Sequence, residues 1–137
     1  MIPIILFPGN LNQISNEAEG ILFLQLLSGR NPDYLINFQV EAVPYLEKTS
    51  LEIISTGYIL IESGNETSVA LISKTKPLSI DQPDYIAQTA KAGEMIGNKL
   101  IYLEAGSGAK NAIPSSMIQQ VAKHITTPII VGGGITT

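Results

Sequence analysis

Apolar side chains in this sequence gather into five short runs, Ile2 to Phe7, Ile21 to Leu27, Ile53 to Ile61, Leu100 to Leu103 and Ile129 to Val131, each closed by glycine or polar residues. Runs that are apolar nearly throughout suit strands buried on both faces, as in a parallel sheet covered by helices. Between the runs the period becomes helical. Asn31 is placed to cap a first helix with Pro32 in its opening turn, and Leu35, Phe38, Ala42 and Leu46 recur at spacings of three and four. Pro44 falls inside that stripe and predicts a kink or an early stop. A second helix is expected from Pro83, with Ile86, Ala90, Gly93 and Ile96 on one stripe and Gly97-Asn98 at its end. A third is expected from Pro114, burying Met117, Ile118, Val121, Ala122 and Ile125. Ser15 to Gly20 has room for only a turn or two of helix. Thr67 to Ser73, after Ser63-Gly64-Asn65, reads as a small hairpin with the end of the third strand.

Alternating strands and helices mark an α/β fold with right-handed crossovers. No repeat, low-complexity tract or linker divides residues 1–137, so a single domain is expected. Two architectures fit: a five-stranded open α/β sheet of the flavodoxin type, or about five of the eight strands of a β/α (TIM) barrel. A complete barrel typically needs about 250 residues and seldom manages with fewer than roughly 200. With 137 residues, length favours the open sheet.

Composition then narrows the function classes. Eight Lys and Arg against twelve Asp and Glu give a net charge of −4 without any cluster of cations, so no footprint for a nucleic acid is present. Without cysteine, disulfides and Cys-ligated metals are excluded. The first apolar run lacks a basic flank and stops at Pro8-Gly9, which reads as a strand and not a signal peptide. No stretch approaches the ~20 apolar residues of a membrane helix. A cytoplasmic protein is expected, with at most peripheral contact with a membrane.

Ligands of such folds bind at the carboxyl ends of the strands. The fourth run passes into Tyr102-Leu103-Glu104-Ala105-Gly106-Ser107-Gly108-Ala109, and strand alternation puts Tyr102 and Glu104 on one face. A carboxylate closing a buried strand is costly unless it is paired or used, and the glycines after it let backbone N–H groups approach an anion. The fifth run ends in Gly132-Gly133-Gly134 where a helix would begin, a phosphate site that needs no basic side chain. Neither G-x-G-x-x-G nor G-K-[ST] is present, which argues against dinucleotide and P-loop sites. Asn10 reads first as a turn residue after Pro8-Gly9. Arg30 is placed either to clamp a phosphate or to make a structural ion pair. Tyr58 and Glu62 share a face as a core tyrosine and a rim carboxylate, and His124, the only histidine, reads as structural. No Ser/His/Asp set, H-x-x-H or aspartate pair supports a hydrolase, zinc or two-metal site.

Taken in order, Ile4-Ile5-Leu6-Phe7-Pro8-Gly9-Asn10, Leu27-Ser28-Gly29-Arg30-Asn31-Pro32, Ile53-Ile54-Ser55-Thr56-Gly57-Tyr58, the stretch Tyr102 to Ala109, and Ile130-Val131-Gly132-Gly133-Gly134-Ile135 closely resemble one family. It is the geranylgeranylglyceryl phosphate synthase family, with its heptaprenylglyceryl phosphate synthase relatives, and the match spans essentially the whole chain. The resemblance reverses the preference drawn from length. It implies a β/α barrel, incomplete here, that this chain enters at the third strand and leaves just after the seventh.

The resemblance also implies an activity: a prenyltransferase joining geranylgeranyl or another polyprenyl diphosphate to the free hydroxyl of sn-glycerol 1-phosphate, which makes the first ether bond of a lipid. Tyr102 and Glu104 would lie on the glycerol phosphate, with Glu104 binding and deprotonating the hydroxyl and Gly106 beside them. Gly133 and Gly134 would supply half of the phosphate-binding backbone, with Asn10, Arg30 and Ser107 as additional rim contacts. The implied cofactor is Mg²⁺. Its aspartate ligand, on the first barrel strand, and the rest of the phosphate cup, after the eighth, are expected outside this sequence, so no metal ligand is assigned here. The prenyl tail would lie in a groove near the ends of the second to fourth strands, and a homo-oligomer is implied. The alternative is a non-catalytic barrel fragment that binds phosphate or self-associates.

Overall fold

A computed structural model describes residues 2–136. Five strands, β1 (Ile5–Leu6), β2 (Gly20–Leu26), β3 (Glu52–Leu60), β4 (Leu100–Glu104) and β5 (Ile129–Gly132), form one parallel sheet in the order β1-β2-β3-β4-β5. A flavodoxin-type open sheet would place β2 at its edge and β1 inside. The sequential order is that of a barrel wall, so the open-sheet alternative falls.

Alternation sorts the side chains of this wall. In β3 and β4, Ile59, Ile101 and Leu103 face outward and are fully buried against Ile86 and Ala90 of α3 (Pro83–Ile96) and Val121 of α4 (Ser115–Ala122). Their neighbours Tyr58, Tyr102 and Glu104 take the opposite, inner face. Curvature is visible in those inner residues. Strands three places apart in a flat sheet are separated by about 14 Å, yet the ring of Phe7, just after β1, lies 5.3 Å from that of Tyr102 on β4. The wall therefore curls inward as a half-barrel.

Several elements differ from the sequence reading. The first strand shrinks from six expected residues to two, because Pro3 and Pro8 bracket it without N–H groups to donate. Between β1 and β2 the chain makes only a 3-10 turn at Leu11–Gln13, and Ser15 to Gly20 holds no helix. Most of β2 is left without a partner on that side. The Gln39 side chain takes over part of the missing ladder by donating to the Leu24 carbonyl at 2.5 Å.

The first helix opens as a wide π turn, Asp33–Asn37, and continues as α1 (Phe38–Leu46). Asn31 caps it as expected, accepting from the Asp33 N–H at 3.1 Å, and α1 stops two residues after Pro44. Of its expected stripe only Ala42 is buried. Ile96 of α3 and Ala122 of α4, both expected in stripes, are exposed. Thr67 to Ser73 forms a helix, α2 (Ser68–Ser73), where a hairpin was expected. A hairpin needs a free strand edge, and β2 and β4 already occupy both edges of β3. The β-pairing passes instead to Leu78, which bridges Ile61 in parallel.

Candidate functional site at the carboxyl ends of β4 and β5

The register of the last two strands sets Glu104 opposite Gly132. Glu104 is only 7 % exposed, and its Oε1 accepts from the Gly106 N–H at 2.8 Å. Among the described residues it has no ion-pair partner. The hydroxyls of Tyr58 and Tyr102 also turn to it, so this buried carboxylate is held by hydrogen-bond donors and not by a counter-charge.

Two glycines of β5 and the turn after it make room for it. A Cβ on Gly132 would lie 2.5 Å from the Tyr102 hydroxyl and 3.2 Å from Glu104 Oε2. A Cβ on Gly133 would lie 2.5 Å from Glu104 Oε1 and 2.7 Å from the Gly106 nitrogen. Gly106, Gly133 and Gly134 all have positive φ, at 98°, 83° and 65°, which glycine adopts without steric cost. The end of β5 thus folds down over the end of β4, and the carboxylate lies directly against the backbones of Gly106 and Gly133, while Gly134 packs on Asn111.

Two phenols complete the inner face. Tyr58 and Tyr102 are register partners on β3 and β4 with ring centroids 5.3 Å apart. Burial first, and then the charge of Glu104, pushes both phenol pKa values up, so both stay protonated donors at neutral pH. The arrangement can hold a hydroxyl against a carboxylate while glycine amides face an anion.

The expected site residues divide into two groups. Tyr102, Glu104, Gly106 and Gly133 come together, Gly134 follows directly, and Ser107 is exposed in the same loop. Asn10 and Arg30 are tied into their own loops, and Asn10 also borders an apolar groove along β2. Asn10 accepts from the Asn12 N–H at 2.9 Å, as a turn residue does. Among the described residues Arg30 makes no ion pair; it donates to the Leu27 and Gly29 carbonyls at 3.0 and 2.8 Å and to the Tyr85 hydroxyl at 3.2 Å. No helix follows Gly134 among the described residues. Glu62 accepts from the Ile80 N–H, and His124 Nδ1 pairs with the Gln120 carbonyl, both structural. Sequence reasoning missed Phe7 and read Tyr58 as a core residue. The signal for Tyr58 was its register with Tyr102, which one strand alone does not display.

No group of three or more His, Cys, Asp or Glu side chains converges among the described residues. Glu104 has hydroxyls and amides around it and no second carboxylate. The residues present do not form a Mg²⁺ site.

An apolar groove of about 510 Å³ opens beside the unpaired part of β2, bounded by Phe7, Leu22, Leu24, Phe38, Tyr58 and Ile72 among others. Its volume is in the range of small-molecule sites. The groove exists because no crossover helix fills the space between β1 and β2. It runs from the turn after β1 along β2 to Tyr58 of β3 and to α2, overlapping the expected place at β2 and β3. Among the described residues no helix is long and apolar enough to cross a membrane.

Comparison with known proteins agrees with the barrel-wall fold. The chain is 63 % identical over 134 residues to a geranylgeranylglyceryl phosphate synthase of Flavobacterium johnsoniae, matching 98 % of this chain and 55 % of that protein. It is 41 % identical to one from Korarchaeum cryptofilum, again over 98 % of the chain and 55 % of the relative. The chain spans about half the length of the curated relatives it matches. Among solved structures, (S)-3-O-geranylgeranylglyceryl phosphate synthase from Thermoplasma acidophilum, in complex with sn-glycerol-1-phosphate, superposes with a TM-score of 0.88 at 30 % identity, covering 98 % of this chain and 53 % of that one. The enzyme from Thermoplasma volcanium gives the same TM-score at 34 % identity, again covering 98 % of this chain and 53 % of its own. The sequential parallel wall and the likeness to these barrels agree with a family model that matches residues 1–137: the chain belongs to the PcrB family.

Proposed function

We propose that this chain carries the glycerol phosphate half of an ether-forming prenyltransferase, with residues 1–137 acting as one unit of the barrel. The acceptor is sn-glycerol 1-phosphate and the donor a polyprenyl diphosphate such as geranylgeranyl diphosphate. The reading rests above all on the buried Glu104, without a counter-charge among the described residues, set between Tyr102 and the backbones of Gly106 and Gly133. Glu104 takes the proton of the attacking hydroxyl, and Tyr102 orients that hydroxyl. The oxygen forms a bond to C1 of the prenyl chain as the C1–O bond to the diphosphate breaks, and pyrophosphate leaves with the electron pair. Gly133 and Gly134 present backbone to the glycerol phosphate. The apolar groove takes the tail, and its continuity with Phe7 and Tyr58 leads the tail toward Glu104.

The test supplies the chain with Mg²⁺, sn-glycerol 1-phosphate and geranylgeranyl diphosphate and follows ether product and pyrophosphate together. Turnover that falls by about 10²–10⁴ in Glu104→Gln, the range for loss of a general base, supports the reading. Equal turnover in the variant removes Glu104 from the chemistry. Binding of glycerol phosphate without turnover favours the non-catalytic fragment.

A further inference from the structure

We propose that Asn65, in the loop between β3 and α2, is a positioning residue of the glycerol phosphate site: its amide fixes the turn 106–110 in the shape that keeps the Gly106 N–H on Glu104. This inference rests on the functional reading above and names a residue through which the site tells its ligand from the mirror image.

The ladder between β3 and β4 runs out where the Ile61 N–H donates to the Glu104 carbonyl at 2.9 Å, and the two segments rejoin where the Asn111 N–H donates to the Ser63 carbonyl at 3.0 Å. Among the described residues, the turn 106–110 between those points has one backbone–backbone bond, from the Ala109 N–H to the Gly106 carbonyl at 3.0 Å. The Asn65 side chain adds two more. Its Nδ2 donates to the Gly108 carbonyl and its Oδ1 accepts from the Lys110 N–H, both at 2.8 Å. One planar amide, donor and acceptor together, thus stands in for a peptide unit of the strand edge that β3 no longer offers. Two residues on, the buried Thr67 lies beneath the turn: a Cβ on Gly106 would be 2.5 Å from Thr67 Cγ2 and 2.8 Å from Thr67 Oγ1. Residues 65–67 are the mould in which the turn is set.

Stability does not call for these bonds. Asn65, Gly108 and Lys110 are all exposed, and exposed polar groups exchange such bonds for water at little net cost. The site does call for them. The Gly106 N–H occupies Glu104 Oε1 at 2.8 Å, and its nitrogen lies 2.7 Å from the Cβ position of Gly133. A turn that drifts therefore moves a donor off the carboxylate and changes the spacing between Glu104 and the glycine backbones. That spacing matters for chirality. sn-Glycerol 1-phosphate and sn-glycerol 3-phosphate carry the same groups and differ only in handedness, so they are distinguished only by a carboxylate and an anion-facing backbone held at a fixed separation.

The experiment titrates the whole chain with each enantiomer by calorimetry, in wild type, Asn65→Ala, Asn65→Asp and Glu66→Gln, the last an exposed neighbour in the same loop. Partial unfolding removes binding capacity for both enantiomers alike, so a merely structural role leaves the ratio of their dissociation constants unchanged. The expected result is a wild-type preference for sn-glycerol 1-phosphate. Asn65→Ala weakens binding of that enantiomer by about 5- to 100-fold, the equivalent of the two lost bonds, and narrows the preference. Asn65→Asp keeps the acceptor for Lys110 and loses the donor for Gly108, and falls between. Glu66→Gln keeps the wild-type preference. A preference unchanged in both Asn65 variants, or one that narrows equally in Glu66→Gln, removes Asn65 from the site and leaves the functional reading standing. A wild type that binds neither enantiomer, or both alike, overturns the reading and the inference with it.

Discussion

Gly133→Ala strikes the point where β5 closes over the carboxylate, and its cost has two separable parts. The first is backbone strain: φ is +83°, and holding an L-residue in the left-handed region costs about 1–2 kcal/mol. The second is contact, because the new methyl would stand 2.5 Å from Glu104 Oε1 and 2.7 Å and 2.9 Å from the Gly106 nitrogen and oxygen. Relieving such overlap costs typically about 1–3 kcal/mol. Gly108→Ala is the control, since φ there is +81° but nothing lies within 4 Å of its Cβ position. In urea titrations Gly108→Ala is expected to lose only the strain, and Gly133→Ala about 1–3 kcal/mol more. Against the roughly 5–15 kcal/mol of an ordinary domain, both variants still fold. Because the displaced atoms belong to Glu104 and Gly106, Gly133→Ala also loses glycerol phosphate binding while Gly108→Ala keeps it. Equal destabilisation of the two variants, within about 0.5 kcal/mol, would refute the close approach of Gly133 to Glu104.

Glu94, near the end of α3, offers a pH test. Hydrogen bonds from Lys91 first, and then from Thr127 and Thr126, hold its carboxyl well below the usual carboxylate range. A depressed folded-state pKa contributes stability that is present above the unfolded value, about 4.3, and is lost as pH falls through the folded value. Urea midpoints of wild type and Glu94→Gln should therefore differ at neutral pH and converge in acid; a gap that persists at low pH removes the carboxylate as its cause. Gly93→Ala in α3 should destabilise although alanine favours helix by about 1 kcal/mol. Its methyl would fall 2.7 Å from Leu27 Cδ1 and 2.8 Å from Asn98 Oδ1 in a closed core, so a thermal melt is expected to shift down, and an upward shift would contradict the packing.

Much of this architecture was legible in single segments. Strands β2 to β5 and the helices from Pro83 and Pro114 announce themselves by period and punctuation, and each lies within about two residues of its expected place. Tyr102 and Glu104 could be assigned to one face because alternation is a local property. What local pattern does not carry is partner availability. Val69, Leu71 and Ile72 suit a strand, but no edge is free for them, and they become helix. Ile2 and Ile4 suit a strand equally and stay exposed beyond β1. The reach of the groove back to β1 was not legible for a related reason. It comes from a helix that the chain does not make between β1 and β2, and its wall joins Phe7 to Ile72 across distant parts of the sequence.

The central claim, that Glu104 and the glycine backbones around it form a glycerol phosphate site, is tested most directly by following backbone amides in a nitrogen–proton NMR titration with sn-glycerol 1-phosphate. Saturable shifts concentrated at Gly106, Gly133 and Gly134, and abolished in Glu104→Gln, are the result this account predicts. Shifts that centre on other residues, or amides at these three glycines that do not respond, would contradict it.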